Sequence, residues 1–161
     1  MGRRWYANIQ ISVKRTSLKK SKAKRRKIKG FFFLDVPIYE GQVAVIVGMT
    51  HKEVVAKTKR LKCNESFMKA LCDEDTVEMC RRVYDPECET QGVAMQRNGT
   101  HFFLVLGRYQ NDWSYLDVLN HECFHLTQYI SQKYTMWDYL EPPAYLHSFL
   151  FRELRKKLSK L

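Results

Sequence analysis

Long apolar runs are missing from this chain of 161 residues. Its uncharged apolar stretches, such as residues 31–34 and 43–48, are far shorter than the roughly 20 residues a membrane-spanning helix needs. Residues 1–13 hold arginines with no apolar segment behind them, so no secretory leader is expected. Cys-x-x-Cys spacing is also absent, and the five cysteines, Cys63, Cys72, Cys80, Cys88 and Cys123, are an odd number. A disulfide framework is therefore not the expected scaffold. The thiols are expected to stay reduced in a cytoplasmic setting, with Cys72 and Cys80 packing as small hydrophobes. No internal repeat is visible.

Charge of one sign is missing as well. Residues 1–30 contain 12 of the 28 Lys and Arg side chains and no Asp or Glu, whereas the rest of the chain holds 16 basic and 17 acidic side chains. The net charge of +11 thus describes a near-neutral domain, residues 30–161, carrying a basic and disordered arm, residues 1–29. Such an arm binds phosphate backbones or acidic membranes through charge alone, or remains a solvated tail. Non-specific nucleic acid is the partner expected of it, and no membrane is expected. The 45% of hydrophobic residues supplies ample side chain to bury, which excludes disorder of the whole.

Local signals divide the domain into elements. Residues 31–39 are aromatic and β-branched, a turn follows at residues 40–42, and residues 43–47 are again apolar, which predicts a β-hairpin. Thr50 and Glu53 have capping-box spacing and start a helix through about Leu61. Residues 64–84 show helical periodicity interrupted by Asp73-Glu74-Asp75, which predicts two short helices. Asn98-Gly99 between residues 92–97 and 101–107 predicts a second hairpin, because primed turns require positive φ. Ser114 and Asp117 suggest an N-terminal cap for a helix over residues 115–131. Glu141-Pro142-Pro143 opens a last helix reaching about Lys157. The order of elements indicates an α+β domain, two hairpins forming a sheet packed on the residue 115–131 helix and the C-terminal helix.

His121-Glu122-Cys123-Phe124-His125 lies inside that penultimate helix and has the H-E-x-x-H form. On a helix, residues four apart differ by one turn and about 40°, so both imidazoles point the same way and can share one ion. Leu116, Leu119, Cys123, Leu126 and Ile130 form an apolar stripe, with His121 and His125 opposite it and Glu122 at the flank. That placement suits a carboxylate that works beside an ion without ligating it. A catalytic zinc site takes three protein ligands and leaves one position open. Asp138, Glu141 and His147 are the downstream candidates, and Glu141 is preferred because it opens a helix, where the dipole favours a carboxylate. His147, six residues on, points about 120° away from Glu141, and a polar or packing role suits it better.

His121-Glu-Cys-Phe-His125 followed by Glu141-Pro-Pro-Ala144-Tyr145 resembles the minimal, gluzincin-like zincins encoded by bacteria and their phages. The tight match covers about 25 residues. The resemblance implies a zincin-like fold and a Zn²⁺ cofactor held by His121, His125 and Glu141. It also implies Glu122 as general base of a metallopeptidase acting on protein or peptide. An edge strand beside the motif helix would pair with extended substrate, and residues 101–106 are the expected candidate. The two prolines after Glu141 depart from the family pattern. In the alternative, the chain binds nucleic acid through its arm and the zincin-like domain is inactive or structural.

Overall fold

A computed structural model describes residues 28–39, 41–85, 91–107, 113–134 and 141–161. The basic segment before Ile28 lies outside the described residues, as do Cys88 and Asp138. The described fold begins two residues ahead of the expected boundary at Gly30: Ile28 packs on the core, and Lys29 pairs with Glu53.

The first hairpin consists of β1 (Gly30–Val36) and β2 (Gly41–Val47), antiparallel from Gly30↔Val47 to Val36↔Gly41. β1 stops at Pro37, which has no N–H to give a ladder, and Pro37–Tyr39 form a short 3-10 turn. The second hairpin consists of β3 (Gly92–Arg97) and β4 (His101–Leu106). Its turn residues Asn98 and Gly99 have φ of 51° and 66°, the left-handed pair a primed turn demands. The hairpins join through β2 and β4, which run parallel from Val43↔Phe102 to Val47↔Leu106, giving the order β1-β2-β4-β3.

This order corrects the expected edge. Residues 101–106 form β4, an interior strand, and β3 is the edge beside the motif helix. The reason lies in the side chains. Phe102 to Leu106 are all buried, at 2% exposure or less, and an unbroken apolar strand belongs where both faces and both neighbours are covered. Gly92, Gln96 and Arg97 tolerate the partial exposure of an edge.

Helices cover both faces. α1 (His51–Arg60), α2 (Glu65–Leu71) and α3 (Glu74–Tyr84) pack on the side chains of Ala44, Ile46, Met95, Phe103 and Val105. α4 (Trp113–Lys133) and α5 (Glu141–Leu158) pack on Val43, Val45, Val47, Ala94, Leu104 and Leu106. The period of two along each strand assigns alternate residues to the two layers. The α+β class holds, with the sheet on α4 and α5 as expected, and a second helical layer behind it.

Local expectations fare well where local chemistry decides. The capping box at α1 is complete: Thr50 Oγ1 accepts the Glu53 N–H, and Glu53 Oε2 accepts the Thr50 N–H at 2.8 Å. α4 runs two residues beyond the expected helix at each end, so Ser114 sits in the first turn rather than at the cap. Cys80 is buried as expected, but Cys72 is exposed, because it caps the end of α2 where no packed face exists. No described helix is long and apolar enough to cross a membrane.

Candidate metal centre

α4 is anchored by Leu119, Cys123, Leu126 and Ile130, each 1% exposed or less, along the stripe read from the sequence. That anchoring fixes the rotation of the helix. It turns His121 outward, leaves His125 half-buried, and puts Glu122 at the boundary with β3. Cys123, between the histidines in sequence, points into the core. Burial, with the Glu122 charge adding to it, pushes its thiol up to about 12, so it stays protonated at neutral pH and is no thiolate ligand.

The two imidazoles converge. His121 Nε2 and His125 Nε2 are 3.0 Å apart, with the rings near perpendicular at 84°. Gln128 Oε1 lies 3.3 Å from His125 Nδ1. An amide oxygen only accepts, so this contact is a hydrogen bond in the tautomer with the His125 proton on Nδ1, the one that leaves the Nε2 lone pair toward His121. Two nitrogens bound to one tetrahedral zinc at 2.0–2.1 Å would be about 3.3 Å apart, so the donor pair fits the ion with a shift of a few tenths of an ångström. A hydrogen bond between the two rings has the same length.

Glu122 is 7% exposed and has a specific partner. Its Oε2 accepts the backbone N–H of Ala94 at 2.6 Å. Gly107 N–H donates to Gln91 O, so the odd-numbered residues of β3 face β4 and the N–H and C=O groups of Gly92, Ala94 and Gln96 point outward. Glu122 therefore occupies one outward donor of the edge strand through Oε2. The sequence placed Glu122 on the correct flank of the helix, but nothing local could reveal a partner 28 residues away.

Gly92 makes this approach possible. A Cβ at residue 92 would lie 2.9 Å from Val118 Cγ1, 3.0 Å from Leu106 Cδ2 and 3.2 Å from Glu122 Cγ. Gly92→Ala is expected to push α4 off β3 at Glu122 and cost about 1–3 kcal/mol as an overpacking change. A thermal melt several degrees below the native one would show it; an unchanged melt would mean that the side chains absorb the methyl group freely.

α5 lies alongside α4. His147 Nε2 is 3.4 Å from the Asn120 carbonyl, an acceptor, so that ring nitrogen carries the proton and points at the backbone of α4. Between the helices lies a groove of about 700 Å³, lined by His121, Phe124, Gln128, Pro143, Ala144 and His147 among others. Glu141 opens α5 as expected, and its side chain, like Asp138, lies outside the described residues. Among the described residues no group of three His, Cys, Asp or Glu gathers around one point. The structure thus brings His121 and His125 together and holds Glu122 beside them on the same helix.

No protein-family model, no curated protein and no solved structure matches this chain.

Proposed function

We propose that the chain is a zinc-dependent metallopeptidase, with His121, His125 and Glu141 as metal ligands and Glu122 as general base. The observation that supports it most is the convergence of the two Nε2 atoms at 3.0 Å on α4, with Gln128 Oε1 3.3 Å from His125 Nδ1 on the far side of the ring. Zinc, when bound, supplies a Lewis acid that polarises a carbonyl and lowers the pKa of water to about 7.

The remaining work falls to the protein's own groups. Glu122 is held at Oε2 by the Ala94 N–H, which fixes the carboxylate while Oε1 takes a proton from water and returns it to the leaving amine. Gln128 orients His125. The groove between α4 and α5 opens at His121 and offers room for substrate side chains. β3, with backbone groups facing outward, is the strand on which extended peptide would lie.

Elemental analysis of protein purified without chelators tests the proposal. About one zinc per chain is expected, together with peptide hydrolysis that chelation removes and added zinc restores. Metal-free protein that takes up no zinc on titration would overturn it.

A further inference from the structure

The groove between α4 and α5 has a one-sided chemistry. Among its described lining residues Asp117 is the one acid, and neither Lys nor Arg is present. Asp117 is exposed and makes no ion pair among the described residues. It stands one turn before His121 on the same side of α4, because residues four apart differ by about 40°. As the fifth residue of that helix it lies beyond the first turn, to which the benefit of the dipole is largely confined.

Phe124 supplies the second feature. Its side chain is 51% exposed, and its ring centroid is 6.1 Å from that of His125. A separation of seven residues is two turns less about 20°, so Asp117 and Phe124 lie along one line of α4, about 10 Å apart, with His121 between them. Pro143 and Ala144 line the groove from α5. Both are small and uncharged, so that wall leaves room and brings no competing cation.

An exposed ring and an unpaired carboxylate on one line complement a long cationic side chain. Lysine and arginine lay an aliphatic stem along apolar surface and keep the charged head free for a polar partner. The face of an aromatic ring attracts the cation as well. In the proposed site the two positive charges of zinc are balanced by Glu122 and Glu141, and Asp117 is left as the uncompensated charge of the groove. An acidic side chain there would meet like charge, which adds a repulsive element to the selection.

We propose that this groove takes a lysine or arginine side chain of an extended peptide, with Asp117 as its counter-charge and Phe124 against its stem. The proposal rests on the metallopeptidase reading and names the substrate class of that site.

The test uses the zinc-loaded full chain and three alanine-rich peptides alike but for one central residue: lysine, norleucine, which keeps the stem without the charge, or glutamate. kcat/KM for the lysine peptide should exceed that for the norleucine peptide about fivefold at low salt, the scale of an exposed ion pair, and the ratio should shrink in 0.5 M salt. Asp117→Asn should bring the ratio near one, and Asp117→Lys should favour the glutamate peptide. Glu74→Gln removes the same charge from an exposed position on α3, across the sheet, and should leave the ratio as it is. Equal cleavage of all three peptides, or a ratio that survives Asp117→Asn, would overturn the proposal and leave the hydrolase reading standing. Anisotropy of the same peptides, labelled, on the Glu122→Gln chain separates the two in the other direction. If no peptide is cleaved, the hydrolase reading falls; lysine-selective binding that Asp117→Asn removes then supports the groove, and binding without selectivity, or no binding, overturns it.

Discussion

Glu122→Gln is expected to keep its zinc and lose its hydrolysis. The amide has the size of the carboxylate, and its oxygen can still accept the Ala94 N–H, so the contact between α4 and β3 survives. That contact weakens, because a neutral acceptor replaces a charged one, a cost of about 1 kcal/mol. What disappears is the group that takes and returns a proton, a contribution of about 10²–10⁴ in rate. Zinc content, melting temperature and kcat/KM, measured on the same preparation, separate these effects. A variant with native zinc and native kcat/KM would remove Glu122 as the base. A variant that fails to fold would mean that the carboxylate serves chiefly to tie α4 to β3.

His121→Ala is expected to abolish zinc binding with little effect on the unliganded fold. His121 is exposed, and its ring nitrogen faces His125 rather than the core, so the substitution leaves no cavity. The native protein should gain about 4 kcal/mol from zinc at a thousandfold excess over its dissociation constant, a rise of roughly 10 °C in Tm for a chain of this size. The variant should melt near the native protein's chelated temperature, and chelation should then change nothing. Full zinc occupancy in the variant would contradict the ligand assignment, and would favour a plain hydrogen bond between the rings as the reason for their approach.

Both expectations rest on α4 being held in one rotation, and the basis for that was legible in the sequence. Leu119, Cys123, Leu126 and Ile130 mark the buried stripe, and any helix carrying them against a sheet must turn His121 outward. The Thr50–Glu53 cap and the Asn98-Gly99 turn were equally legible, because each is decided within four residues by hydrogen bonding or by φ. The edge of the sheet was not legible. β3 and β4 form one hairpin, and which of them faces β2 depends on a pairing with residues about 60 positions earlier. The length of the apolar run in β4 was the available signal, since residues 102–106 have no polar member to face solvent.

The amino-acid sequence by itself determined the local elements, the α+β class, the orientation of two imidazoles on one helical face, and the imbalance of charge between arm and domain. These follow from periodicity, capping and composition, which act over short distances along the chain. Tertiary structure decided the rest: that β3 and not β4 is the edge beside α4, that Glu122 takes the Ala94 N–H over the methylene-sized gap left at Gly92, and that the end of α5 adjoins the start of β1. Each of these joins residues distant in sequence, and packing, which brings such residues together, is a property of the whole fold rather than of any segment of it.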